Sequence, residues 1–250
     1  MGRFGAQSSR IGLARLIGAP RRVLPSPLSP LKLLAFCARA RALTQVIPPA
    51  VDCLYGGMDV PLSELGKQQA IAAAAEANAL RISHVYSSPL SRAVFGAEKV
   101  VEAQSSRPGL SIERDLREVD RGAWGGRPRT EIELEAPGGL ARLKADPEFR
   151  PPGGESMREL RNRVIATYER IVRATPPGET VAVVSHMHVT RAIVAHVLGE
   201  PERDGEIEIP LASSSLVEID AATGVATMAY IGREPVLESA RDSVGNAWGG

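Results

Sequence analysis

The sequence predicts a three-layer α/β/α domain with a mostly parallel central sheet, and three observations predict it. First, Val181 to Val184 is a continuous run of β-branched and small apolar residues, as in a strand buried on both faces of a parallel sheet. From Val189 the apolar period changes: Val189, Ile193, His196 and Val197 recur at helical steps until Gly199, a helix-ending residue with Pro201 close behind. Second, the same change occurs from Ile82–Ser87 to Leu90, Ala93, Val94, Ala97, Val100 and Val101. Third, each strand-to-helix turn carries a side chain that can hold an anion, Arg92 in one and His186 in the other. In open α/β sheets ligands bind at such turns, where exposed amides and the helix dipole favour negative charge.

Composition bounds the rest. The 250 residues are 44% hydrophobic, ordinary for a soluble chain with a sizeable core. The net charge of +1 conceals an imbalance: residues 1–51 hold eight Arg or Lys and no acid, leaving 22 basic against 29 acidic residues in 52–250. We therefore set apart 1–42 as an atypical basic, Pro-rich leader, 43–245 as the folded domain and 246–250 as a mobile tail. Three accounts of the leader compete. It is an organelle transit peptide, which would make the compartment mitochondrial rather than cytoplasmic, or a nucleic-acid-binding arm, against which its dispersed charges argue. The account we favour is a misassigned start or out-of-frame stretch joined to a genuine domain. No membrane anchor is expected, because the longest apolar patch, Leu33 to Ala38, is too short to span a bilayer. Cys37 and Cys53 are the only cysteines, which excludes a disulfide framework and a cysteine metal cluster.

Taken in order, Ser63 caps an alanine-rich helix running to about Leu80. Ser88 with Pro89 reads as N-cap and first helical residue, placing Arg92 in the first turn, where a guanidinium can grip phosphate through parallel hydrogen bonds. His84 alternates with Ile82 and Tyr86 and reads as a structural histidine, as does His196. Thr130 with Glu133, and Ser156 with Glu159, read as capping boxes, and 151–156 as a turn. On the helix after Ser156, Leu160, Val164, Tyr168, Ile171 and Val172 face inward and Arg158, Arg161 and Arg163 mostly outward. Ser213 to Ile219 and Val225 to Ile231 read as closing strands around a hairpin turn at 221–224.

Four blocks in order, VYSSPLSRA at 85–93, LREVDRGAWGG at 116–126, PPGGES at 151–156 and VVSHMHVTRA at 183–192, resemble the histidine phosphatase (phosphoglycerate mutase-like) superfamily. The resemblance runs from about Tyr55 to Ala240. It implies hydrolysis of a small phosphomonoester through a phosphohistidine, without cofactor or metal, with Arg92 and His186 binding phosphate and Glu118 donating a proton to the leaving alkoxide. Asp120 is the fallback acid. A carboxyl serves as proton donor when partial burial raises its pKa. Leu-Arg-Glu with a nearby Trp resembles the phosphatase branch, which includes α-ribazole phosphatase, rather than the mutases; a nucleoside-like phosphate is one implied substrate. The expected partner is a small phosphorylated molecule, with no nucleic acid and no membrane, and a homodimer is left open.

One element of the pattern is missing. The family's Arg-His-Gly-type motif, which supplies the nucleophile at the end of the first strand, is absent. Counting back from Thr44, whose neighbourhood resembles the residues just after that motif, puts Ala42 and Leu43 at the Arg and His positions, with Arg41 one residue out of register. Lys32 to Ala38 is expected to act as a surrogate first strand, since its loss would leave long unpaired edges. The family usually has glycines at Met187 and His188. His188 lies on the turn of His186, the wrong side for in-line attack. The chain is therefore expected to have impaired phosphatase activity, or to be a pseudoenzyme that binds phosphorylated ligands.

Overall fold

Strands β1 (Leu31–Cys37), β2 (Ile82–Ser87), β3 (Gly109–Ile112), β4 (Thr180–Ser185), β5 (Ser214–Ile219) and β6 (Ala226–Arg233) form one sheet in the order β3-β2-β4-β1-β5-β6. They are seen in a computed structural model that describes residues 29–37, 53–210 and 212–237. β1 to β4 run parallel to one another, and β5 and β6 continue the sheet antiparallel. Around them lie α1 (Glu64–Ala77), α2 (Ser91–Ala103), α3 (Arg129–Glu135), α4 (Gly139–Ala145), α5 (Met157–Ala174) and α6 (Met187–Leu198).

All six residues of β4 are buried, which explains the unbroken apolar run. Alternation along β1 and β4 divides the core. Leu31, Leu33, Ala35, Val181 and Val183 pack with Leu160, Val164 and Ile171 of α5 and Val189 and Ile193 of α6. Leu34, Phe36, Ala182 and Val184 face the other way, onto Ala73, Ala74 and Ala77 of α1 and Ala93, Ala97 and Val100 of α2. Small residues bring α1 and α2 close to the sheet: a Cβ on Gly96 would stand 3.3 Å from Val184 Cγ1. Each fully buried Leu in these layers contributes about 2 kcal/mol by removing apolar surface from water.

The placement of β1 matters most. It pairs with β4 from Lys32↔Thr180 to Cys37↔Ser185 on one side and with β5 on the other. The anticipated surrogate strand is thus present, one residue earlier at each end, and the sheet begins inside the stretch set apart as leader. Backbone pairing and apolar alternation need no acidic residues, so charge composition did not reveal it. Arg41, Ala42 and Leu43 lie outside the described residues, as do 246–250.

Other expectations are corrected. α2 begins at Ser91 with Leu90 as N-cap; the role assigned to Ser88 falls to Asp59, whose Oδ1 accepts from Ser91 N and Ser91 Oγ at 2.7 Å each. The capping box at Thr130 does not form: Pro128 precedes α3, and Glu133 accepts from Gly138 N at 2.5 Å. The box at Ser156 and Glu159 does form, and Gly199 ends α6 at φ 73°. Arg161 is buried against Asp204 at 3.2 Å rather than outward. His196 is exposed, its ring edge-on to Tyr168 at 5.6 Å. His84 is structural as expected, with Ser111 Oγ 2.9 Å from its Nε2.

Candidate functional site

Two strand-to-helix turns meet at the carboxyl end of the sheet. β2 and β4 are direct neighbours, ending at Ser87↔Val184, and Ser88 N donates to Val184 O at 3.0 Å. The adjacency on which the sequence argument depended is therefore real. It brings His186 Nε2 to 2.7 Å from Ser88 Oγ, across 98 positions of sequence. His186 is only 1% exposed and is the extended residue (φ −135°) that precedes α6. Its imidazole lies at the positive end of the helix dipole, which favours a bound anion.

Arg92 lies where the sequence placed it, in the first turn of α2 and buried. Its donors have partners in the structure. Nη1 donates to Met58 O at 2.6 Å and Nη2 to Gly56 O at 3.1 Å. The guanidinium holds the 56–58 loop, so an entering phosphate has to compete with two carbonyls for it.

Glu118 also lies in this region, buried beside His188. Its residue is 6% exposed, and burial alone pushes the carboxyl up. The nearby charge of His188, a hydrogen bond from His188, the charge of His186 and the Val119 amide together outweigh burial and hold the group well below the ordinary carboxylate range. The geometry is plain: Val119 N donates to Glu118 Oε1 at 2.9 Å, His188 N to Oε2 at 3.3 Å, and His188 Nδ1 stands 3.2 Å from Oε1. The carboxyl is thus drawn down by a residue 70 positions away in sequence. On its far side, His188 Nε2 is 3.5 Å from Arg121 Nη2. Asp120, the fallback acid, accepts from Gly122 N at 2.8 Å and shapes the loop.

What fixes this loop escaped the sequence reading. Arg163, expected outward, turns in and holds Glu155 through Nε at 2.6 Å and Nη2 at 2.8 Å. Its Nη1 also donates to Asp115 O at 2.5 Å, and Glu155 Oε2 accepts from Asp120 N at 3.3 Å. The pair staples α5, the 151–155 turn and the Glu118 loop together. Gly122, at φ 52°, completes the junction, since a Cβ there would collide with the Pro152 carbonyl. The spacing of Glu159 and Arg163 on one helix face was the available signal; a partner in the preceding turn was not visible in it.

The end of β1 differs. Cys37, its last residue, stands in register with Ser185, the residue before His186. Its amide donates to Ser213 O at 2.9 Å and its side chain is buried with Val194 and Ile209. Among the described residues no group of three His, Cys, Asp or Glu could hold a metal ion, and no helix is long and apolar enough to cross a membrane.

Comparison with known proteins follows the same outline. The model of the histidine phosphatase superfamily (branch 1) matches residues 50–230. A probable phosphoglycerate mutase GpmB of Salmonella choleraesuis is 33% identical over 168 residues, 67% of this chain and 76% of that protein. A glucosyl-3-phosphoglycerate phosphatase of Mycolicibacterium vanbaalenii is 30% identical over 176 residues, 68% of this chain and 77% of that protein. Among solved structures, a mycobacterial glucosyl-3-phosphoglycerate phosphatase superposes with TM-score 0.69 at 24% identity, covering 82% of this chain and 99% of that one. The α-ribazole phosphatase of Shigella flexneri superposes with TM-score 0.68 at 20% identity, covering 83% and 98%.

Proposed function

The chain belongs to the histidine phosphatase superfamily, and from that premise we propose that it binds the phosphate of a small phosphomonoester at His186 and Arg92 while being impaired in phosphoryl transfer. The observation that carries this reading is the meeting of the two turns: Ser88 and His186 in contact at the end of β2 and β4, with Arg92 in the adjoining first helical turn. Oriented donors at a helix N-terminus suit a phosphate dianion.

Transfer needs an imidazole in line with the leaving group, opposite to it across phosphorus. The chain has four histidines and none before His84. His84 pairs with Ser111, His196 lies at the far end of α6, His188 contacts Glu118, and His186 is the phosphate ligand. The neighbouring strand end, where a nucleophile would complete the site, offers Cys37, packed among apolar side chains. A pseudophosphatase that binds phosphorylated ligands without turnover is the limiting form of the same reading. Mutase-type phosphotransfer is favoured only by the names of relatives and needs the same missing phosphohistidine. The names of the two relatives share a phosphoglycerate unit, which supports a phosphorylated carboxylic acid as the ligand class over a nucleoside-like phosphate.

The test is p-nitrophenyl phosphate hydrolysis and inorganic phosphate binding by the unmodified chain, by Ala38→His, which follows Cys37 in sequence, and by the pair Ala42→Arg, Leu43→His. We expect phosphate binding without appreciable turnover in the unmodified chain, and turnover in Ala38→His. Turnover by the unmodified chain that disappears in His186→Ala would refute the impairment; absence of phosphate binding would refute the site.

A further inference from the structure

We propose that Arg121 is a specificity-determining residue of this site: its guanidinium receives the carboxylate of a small phosphorylated acid whose phosphate lies at Arg92 and His186. The inference rests on the phosphate site proposed above and adds the residue that recognises the remainder of the ligand.

Arg121 is a half-buried cation without an anion. Among the described residues its guanidinium makes one polar contact, Nη2 at 3.5 Å from His188 Nε2, and no ion pair. That contact is long for a hydrogen bond, and an imidazole brings no negative charge in either protonation state. The carboxylates nearby are engaged elsewhere: Glu118 accepts from Val119 N and His188 N, Asp120 accepts from Gly122 N, and Glu155 is held by Arg163. Burial pushes Arg121 below its ordinary value, the charge of Arg129 adds to this, and the charges of Glu118 and Glu155 oppose it without restoring it. An arginine does not release its proton under such pressure, so the relief open to it is an anion from outside. Arg163 is the contrast, since its fork is filled by Glu155 and the Asp115 carbonyl.

The position of Arg121 ties it to the phosphate site. Gly56 lies between it and Arg92: the Gly56 carbonyl accepts from Arg92 Nη2 at 3.1 Å, and a Cβ on its α-carbon would stand 2.5 Å from Arg121 Cγ. From the other side, His188 reaches Arg121 two residues after His186 on the same turn. A ligand that meets both guanidiniums therefore carries two anionic groups about one residue's width apart, as a short-chain phosphorylated acid does. The planar fork of arginine suits a carboxylate, which can take two parallel hydrogen bonds from it.

The probes are 3-phosphoglycerate and glycerol 3-phosphate, which share a phosphate ester on a three-carbon chain and differ in carrying a carboxylate or a hydroxymethyl group. In calorimetric titration the unmodified chain should bind 3-phosphoglycerate about tenfold or more tightly than glycerol 3-phosphate, the effect of a charge-assisted pair. In Arg121→Gln the two affinities should converge, with the loss falling on 3-phosphoglycerate. Arg121→Lys, which keeps the charge but not the fork, should retain part of the preference, and it keeps the assignment testable where glutamine disturbs the loop. Equal affinity of the unmodified chain for the two probes, a comparison that needs no variant, would overturn the proposal. A preference that survives Arg121→Gln would overturn it too and assign the carboxylate to another cation. Equal losses for both probes and for inorganic phosphate in Arg121→Gln would also overturn it, because the residue would then act on the site as a whole. If the unmodified chain binds none of the three, the phosphate site itself fails, a result distinct from binding without preference.

Discussion

β1 and β4 lie side by side and in register, and their carboxyl ends open on the same side of the sheet, yet one leads into His186 and the other, as described, ends in Cys37. After Ser185 the chain places His186 against Ser88 at 2.7 Å; Cys37, in register with Ser185 on β1, lies in an apolar cluster. The difference teaches that a strand's contributions to fold and to reaction are separable. β1 supplies backbone pairing on both edges and apolar side chains to both layers, which any suitably alternating segment can do. Phosphoryl transfer, in the function proposed above, would need one residue at the strand's end, a requirement that sheet pairing does not share.

The largest expected effect tests the structural half of this comparison. Leu33→Ala, in the central strand at 0% exposure, should destabilise the protein by about 2–5 kcal/mol in urea unfolding, from lost transfer energy and the remaining cavity. Val225→Ala, at 57% exposure, should change little. A silent Leu33→Ala would show that β1 is not integral to the core.

Next comes the staple under the site. Arg163→Ala strands the buried carboxylate of Glu155 and should cost about 3 kcal/mol, while adding Glu155→Ala should return part of that loss, as a double-mutant cycle would reveal. Purely additive losses would mean that the pair does not act as a unit.

The comparison sharpens at the strand ends themselves. His186→Gln should weaken inorganic phosphate binding by about tenfold or more through loss of a charge-assisted hydrogen bond. Cys37→Ala should lower the unfolding midpoint slightly and leave phosphate affinity unchanged, because the thiol packs against Val194 and Ile209. Equal effects of the two substitutions on affinity would erase the distinction drawn above.

The smallest effect is confined to acid. The folded pKa of Glu118 is depressed, so its contribution to stability is present above the ordinary carboxylate value and is lost as pH falls through that value toward the lower folded one. Glu118→Gln should therefore show a shallower loss of stability in acid unfolding than the unmodified chain. An unchanged acid limb would argue that Glu118 is not held ionised.

How much of this was legible beforehand follows the reach of each signal. β4 and α6 were readable because one segment switches from a buried run to helical period and ends in Gly199. β3 was missed, being four residues long, half-exposed and without a distinctive alternation. Arg161 and Arg163 read as a solvated helix face because their partners, Asp204 and Glu155, belong to other segments. For Glu118 the sequence suggested only the upward push of burial, since His188, which pulls the carboxyl down, lay out of sequence view.

By itself the sequence determined the layer architecture, the two strand-to-helix turns with Arg92 and His186, the resemblance to one superfamily and the absence of a histidine before His84. These depend on periodicity, capping and residue identity, which are encoded among near neighbours in the chain. Only the tertiary structure decided that β1 is a central strand beside β4, that Ser88 meets His186, and that His188 lies between Glu118 and Arg121. Those outcomes join residues up to 98 positions apart, and sheet order and register, which no local signal specifies, bring them within hydrogen-bond distance.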